Sequence, residues 1–142
     1  MEDEELLLSG TTGVAVAGRG LLIQGEPGSG KSSLALALID RGAVLIGDDG
    51  VRVRMTGGSI LAEPPPHIAS LLEIRNVGLV QLPVASAPVA LILQLRRAAQ
   101  RYPAGVARMT LLGRAIPALP FHPGDAVQAL RAEWALRTHG LV

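Results

Sequence analysis

The sequence predicts an α/β protein in which a mixed sheet is flanked by helices. Three observations carry that prediction. A strand-length apolar run, Gly20-Leu21-Leu22-Ile23-Gln24, leads into Gly25-Glu26-Pro27-Gly28-Ser29-Gly30-Lys31-Ser32, which fits the G-x-x-x-x-G-K-[ST] pattern at every fixed position. Behind that loop, Ser33-Leu34-Ala35-Leu36-Ala37-Leu38-Ile39-Asp40-Arg41 is rich in helix formers and is stopped by Gly42. Hydrophobic residues make up 49% of the 142 positions, yet Phe, Tyr and Trp occur once each. The core must then be built of Leu, Val, Ile and Ala, a composition that suits a buried sheet with helices against it.

The remaining elements follow in chain order. Val14-Ala15-Val16-Ala17 with Gly18-Arg19-Gly20 reads as a strand and tight turn feeding the strand before the loop. Ala43-Val44-Leu45-Ile46-Gly47 is a second buried strand, bounded by Asp48-Asp49-Gly50. Val51-Arg52-Val53-Arg54-Met55 alternates cleanly, and Thr56-Gly57-Gly58-Ser59 joins it to Ile60-Leu61-Ala62 as a hairpin. Arg52 and Arg54 share one face of that hairpin and read as solvated. Pro64-Pro65-Pro66 is a break, and a short helix is expected over His67 to Leu72, with His67 near its start. Leu79-Val80-Gln81-Leu82 and Val89 to Leu95 are further strands. Positions 96–108, with Arg96, Arg97 and Arg101, read as an exposed loop, and Thr110 to Phe121 as an edge strand. Asp125 is the expected N-cap of a last helix reaching Thr138, with Gly140 as its stop and Trp134, Leu130, Leu136 and Leu141 pinning it to the core. No repeat or composition shift divides the chain, so 1–142 is expected to form one domain.

Chemistry concentrates in three places. The glycines of Gly25–Ser32 let the backbone curl so that its N–H groups point inward, and the helix N-terminus adds partial positive charge; together they cradle a polyphosphate. In such a loop Lys31 reaches the β- and γ-phosphates and the Ser32 hydroxyl ligates Mg²⁺. Asp48-Asp49 closes the strand after the following helix, at the carboxyl end where ligands of open α/β sheets gather. A carboxylate there can sit behind a metal or accept a proton from a hydroxyl; Asp-Asp-Gly also favours a plain turn. Glu73 and Arg75 are charges inside an otherwise apolar segment, two apart and on one face if extended. Such charges are paired or metal-bound, and a structural ion pair is one of the two readings.

Composition excludes several classes. Net charge is +1 with no basic run, and stacking platforms are missing, so nucleic-acid binding has no footprint. With no Cys there is no disulfide framework, thiolate metal site or cysteine nucleophile. His122 and His139 show no metal-ligand spacing. The acidic start, Met1-Glu2-Asp3-Glu4-Glu5, is unlike a secretory leader, and no apolar stretch reaches a membrane span. A soluble, cytoplasmic protein is expected.

Three segments in this order resemble one family: the loop Gly25–Ser32, the block Arg41-Gly42-Ala43-Val44-Leu45-Ile46-Gly47-Asp48-Asp49, and Leu72-Glu73-Ile74-Arg75-Asn76-Val77-Gly78-Leu79. The chain resembles, over roughly residues 10–95, the catalytic domain of HPr kinase/phosphorylase in its short proteobacterial form. The resemblance implies a P-loop kinase core akin to phosphoenolpyruvate carboxykinase and an ATP-dependent protein serine kinase acting on an HPr-like phosphocarrier protein. It implies ATP bound by Gly25, Glu26, Pro27, Gly28, Ser29, Gly30, Lys31, Ser32 and Ser33, with Mg²⁺ on Ser32 and Glu73. It places Lys31 on the transferred phosphate, Asp49 (or Asp48) as proton acceptor, and Arg75 among the catalytic residues. No nucleic-acid or membrane partner is implied, and a homo-oligomer is compatible with it.

The chain also departs from the family pattern. The family's His on the strand before the loop has no counterpart in Ser9-Gly10-Thr11-Thr12-Gly13, Asn76 stands where the family has Gly, and Pro83-Val84-Ala85-Ser86-Ala87-Pro88 is short and uncharged. These departures imply forward phosphorylation with weak phosphorolysis. They also keep two other readings open: an ATP-binding regulatory module without turnover, and a P-loop small-molecule kinase.

Overall fold

The computed structural model describes residues 4–66 and 70–142. Strands form where apolar runs are short and bounded by turn residues. In chain order they are β1 (Glu5–Ser9), β2 (Thr11–Val16), β3 (Arg19–Gln24), β4 (Val44–Gly47), β5 (Gly50–Thr56), β6 (Ser59–Glu63), β7 (Leu71–Ile74), β8 (Gly78–Gln81), β9 (Ala87–Leu95), β10 (Ala107–Leu111) and β11 (Arg114–Phe121). Among the described residues two helices, α1 (Lys31–Asp40) and α2 (Gln128–His139), accompany these strands. This is the α/β arrangement expected, a mixed sheet with flanking helices.

Nine strands share one curled sheet: seven run in the order β1-β5-β6-β9-β3-β2-β4, and β11, with β10 beyond it, branches from β9. The nine-residue β9 is its spine. It runs parallel to β3 along one side, with Leu22 opposite Ile92. Along its other side, Ala87 and Pro88 pair antiparallel with β6, and Ile92 to Leu95 pair parallel with β11. The hairpin β7–β8 forms a separate two-stranded sheet.

Two cores lie on opposite faces of the central strands. Leu21, Ile23, Leu45, Leu91 and Leu93 pack with Leu34, Ala35 and Leu38 of α1 and Ala132 and Leu136 of α2. Leu22, Ile46, Val89 and Ile92 point the other way, onto Val51, Val53, Ile60 and Ala62 of the β5–β6 hairpin. Successive strand residues face opposite sides, so strands covered on both faces must be apolar at nearly every position. That is why β3 and β9 read as unbroken hydrophobic runs.

Several expectations need correction. The start of the expected 67–72 helix, including His67, lies outside the described residues; Leu71 and Leu72 are strand. Thr110 to Phe121 is not one edge strand: it holds the end of β10, a turn at Leu112 and Gly113, both with positive φ, and all of β11. There β10 is the edge and β11 is interior. The last helix begins at Gln128, not beside Asp125, whose Oδ1 instead accepts the Val127 N–H at 3.0 Å in the turn ahead. Trp134 is 59% exposed, with the Arg137 guanidinium 4.4 Å from its ring centre. Ala129, Ala132, Ala135 and Leu136 form the buried face of α2 in its place. A further strand, β1, pairs with β5 from Glu5 to Ser9, where acidic residues conceal the alternation.

Arg52 and Arg54 are not simply solvated. Both reach Glu63 on the neighbouring strand, at 3.3 and 2.9 Å. The Arg54 hydrogen bond holds the Glu63 carboxyl below the usual glutamate range, against the opposing effect of burial. A lowered folded-state pKa means stabilisation that is present at neutral pH and is lost as pH falls through that lowered value. Glu63→Gln should therefore cost about 1–2 kcal/mol near pH 7, the scale of a charge-assisted pair, and much less in acid. Denaturant unfolding of both proteins across pH checks this; a difference that does not change with pH would contradict the ion-pair account.

Candidate functional site

The loop between β3 and α1 owes its shape to its glycines. Gly28 and Gly30 have φ of 80° and 107°, which side chains with a Cβ rarely adopt. A Cβ on Gly25 would lie 2.5 Å from Ser29 Oγ, so only glycine permits the loop to close on itself there. Lys31, the first residue of α1, is 9% exposed, and its Nζ donates to the Gly25 carbonyl at 2.7 Å and to that of Glu26 at 3.4 Å. The ammonium is thus held across the mouth of the loop.

Asp48, directly after β4, is the junction of the site. Its Oδ1 accepts hydrogen bonds from Ser32 Oγ at 2.8 Å and from Thr12 Oγ1 at 2.9 Å. Its Oδ2 accepts the backbone N–H of Glu73 at 3.1 Å. Three separate stretches of chain therefore converge on one carboxylate. Asp49 follows with φ of 61°, its N–H donating to Thr12 Oγ1 at 3.3 Å and its side chain exposed. The left-handed turn sends the two neighbouring carboxylates to different surroundings.

Glu73 lies on β7 with its side chain exposed, and its backbone N–H joins the Ser32–Asp48 pair. Arg75 does not share its face: β7 ends at Ile74, and Arg75 opens a turn in which Asn76 has φ of 68°. No ion pair links Glu73 and Arg75 among the described residues, so of the two readings of these charges the structural pair is set aside. Arg75 instead borders a groove of about 460 Å³ along Gly28–Gly30 and Ser33.

The structure thus brings together Lys31, Ser32, Asp48, Asp49 and Glu73, with Arg75 at the rim. Sequence reasoning missed two features. Thr12, fully buried, is tied to Asp48 from β2, whereas its segment was noted only for lacking a His. The far wall of the groove comes from Arg97 and His122, which follow β9 and β11. No local pattern signals either.

The donor set is chemically coherent. The Ser32 hydroxyl and the Glu73 carboxylate, on two segments that Asp48 links, are oxygen donors of the kind that suits Mg²⁺. Ser29 Oγ is buried with no partner among the described residues, a hydroxyl left over at the loop. The curled backbone and Lys31 supply donors and positive charge for phosphate oxygens. Among the described residues, no helix is long and apolar enough to cross a membrane.

Comparison with known proteins bears on this arrangement. The family model for the HPr Serine kinase C-terminal domain matches residues 5–86. The HPr kinase/phosphorylase of Clostridium botulinum (strain Eklund 17B / Type B) is 44% identical over 69 residues, covering 49% of this chain and 23% of that protein. That of Bordetella petrii is 47% identical over 68 residues, covering 47% and 22%. The chain spans less than a quarter of the length of these curated relatives. A solved structure, the Hpr(Ser) kinase/phosphatase from Coxiella burnetii, superposes with a TM-score of 0.78 at 25% identity, over 93% of this chain and 89% of that one.

The convergence on Asp48 makes a stability prediction independent of any ligand. Asp48→Ala strips the acceptor from the buried Thr12 hydroxyl, from Ser32 and from the Glu73 N–H. It should destabilise the fold by about 1–3 kcal/mol, with Asp48→Asn losing less because one acceptor oxygen survives. Thermal and denaturant unfolding measure both; an Asp48→Ala protein as stable as wild type would show that these bonds carry no net stability.

Proposed function

The chain belongs to the HPr serine kinase C-terminal domain family, and from that premise we propose that it is an ATP-dependent protein serine kinase acting on an HPr-like phosphocarrier protein. One observation carries the reading: Asp48 gathers the phosphate loop, the strand end after α1 and the Glu73–Arg75 segment into a single site. The fold, shared with the Coxiella protein, is the P-loop kinase core akin to phosphoenolpyruvate carboxykinase.

In this reading the backbone N–H groups of Gly25–Ser33 cradle the polyphosphate of ATP, and Lys31 neutralises the group to be transferred. Ser32 and Glu73 hold Mg²⁺, which when bound offsets charge on the phosphate oxygens. Asp48 orients Ser32 through the 2.8 Å bond and anchors the Glu73 backbone, a positioning role. With three donors on it, Asp48 is committed to its neighbours. Asp49, exposed one residue later, accepts the proton of the attacking serine hydroxyl. Arg75, which borders the groove along Gly28–Gly30 and Ser33, supplies positive charge beside the bound polyphosphate. The 142 residues act as one catalytic unit in this proposal.

Phosphorolysis, the reverse attack of inorganic phosphate on phosphoserine, asks for a group that can shuttle the phosphate's proton, a task a His suits. The segment Ser9–Gly13 offers no His, and Thr11 or Thr12 cannot take that task over. We therefore assign the chain forward transfer with weak reversal.

Incubation with labelled ATP, Mg²⁺ and an HPr-like carrier should yield acid-stable phosphoserine on the carrier; its absence under conditions where ATP binds would favour a regulatory module without turnover. Three variants separate the roles. Lys31→Ala should weaken ATP binding ten- to a hundredfold by calorimetry, the worth of a charge-assisted phosphate contact of about 1.5–3 kcal/mol. Asp49→Asn should lower kcat by about 10²–10⁴ with ATP affinity little changed. Glu73→Gln should raise the Mg²⁺ concentration needed for half-maximal rate; an unchanged Mg²⁺ dependence refutes its metal role.

A further inference from the structure

We propose that Arg97, His122 and Gln128 form the nucleoside end of the nucleotide site, an inference that rests on the ATP reading above. All three lie beyond the residues 5–86 that match the family model. They line the groove of about 460 Å³ whose other wall is Gly28–Gly30 and Ser33, with Arg75 also on its border, a size within the range of small-ligand sites.

The direction of the bound molecule follows from the loop. In a P-loop the lysine marks the β- and γ-phosphates and the following hydroxyl marks the metal. Here those markers, Lys31 and Ser32, together with Asp48 and Asp49, are absent from the groove lining. The groove opens instead along the glycine flank and Ser33. A triphosphate with its terminal group at Lys31 and Ser32 therefore directs its α-phosphate and nucleoside into the groove.

The chemistry of the wall fits that end. His122 Nδ1 lies 2.8 Å from the Arg97 carbonyl, which can only accept, so Nδ1 carries the proton and Nε2 of the neutral ring is an acceptor. Gln128 Oε1 accepts the Gly124 N–H at 2.9 Å, which leaves the two amide N–H groups as donors. Arg97 is exposed and presents a planar cation that can stack on a base or bond a ribose oxygen. Donors, an acceptor and a flat cation together suit the mixed edge of a purine nucleoside. The wall is also well braced. The Arg96 N–H donates to the Phe121 carbonyl at 2.9 Å, and Arg131 donates to the His122 carbonyl at 2.6 Å.

Calorimetric titration of wild type, Arg97→Ala and Lys31→Ala with Mg-ATP and with inorganic tripolyphosphate tests the assignment, since the second ligand has no nucleoside. Arg97 is exposed, so its truncation should leave the melting temperature unchanged, and a melt of each variant verifies this. The expected result is a roughly tenfold loss of ATP affinity in Arg97→Ala, the scale of one charge-assisted contact, with tripolyphosphate affinity within twofold of wild type. Equal losses for the two ligands would put Arg97 on the phosphate chain and overturn the proposal, as would unchanged ATP affinity. Lys31→Ala reads the premise separately: it should weaken both ligands, and failure to weaken either removes the P-loop reading itself.

Discussion

The site and much of the fold around it depend on one carboxylate. Asp48 accepts from Thr12 on β2, from Ser32 on α1 and from the Glu73 backbone on β7. The β7–β8 hairpin shares no ladder with the main sheet, and an isolated two-stranded hairpin is marginal in water. Among its attachments are the apolar packing of Leu72, fully buried in the helix-side core, and of Ile74 against it, and the Glu73–Asp48 bond. The first supplies apolar area without direction. The second sets the register between hairpin and phosphate loop, and with it where the Glu73 carboxylate and Arg75 stand.

The strands were legible where burial on both faces leaves little room for polar residues. Leu21, Leu22 and Ile23 alternate between the two cores, as do Leu91, Ile92 and Leu93, and each run announces itself as apolar. The errors fall where tertiary contacts override local pattern. Leu71 and Leu72 follow a proline break and have no periodicity of their own; pairing with Gln81 and Val80 makes them strand. On α2 the packing face is small, built of alanines that fit closely against α1 and β9, so the large Trp134 is left outside. A reading that assigns the biggest apolar residue to the core fails there. Arg52 and Arg54 looked like a solvated face because their partner, Glu63, is contributed by the neighbouring strand.

The same distinction governs the site. Eight consecutive residues make the phosphate loop, and Asp48-Asp49 sits at a recognisable strand end, so both could be read directly. The Glu73–Arg75 segment was read through its resemblance, but the turn at Asn76 that parts the two charges was not. Thr12 and the Arg97–His122 wall depend on which strands become neighbours, which no local window contains.

Strand direction explains why these pieces meet at all. β9 and β11 run parallel to β3. β4 is antiparallel to β2, which is itself antiparallel to β3, so β4 points the same way. Four strands thus end at one edge of the sheet, and each is followed at once by a group at the site: Gln24 by the phosphate loop, Gly47 by Asp48, Leu95 by Arg96 and Arg97, Phe121 by His122. Parallel strands place their unpaired carboxyl ends and the loops after them on a common rim, where ligands of α/β sheets collect. The pairing of Leu95 with Phe121 brings two of those ends side by side, and the Arg96 N–H to Phe121 carbonyl bond extends the contact one residue past the ladder. A chain that buries β9 on both faces has therefore fixed the spacing between the phosphate loop and its opposite wall before any ligand contributes.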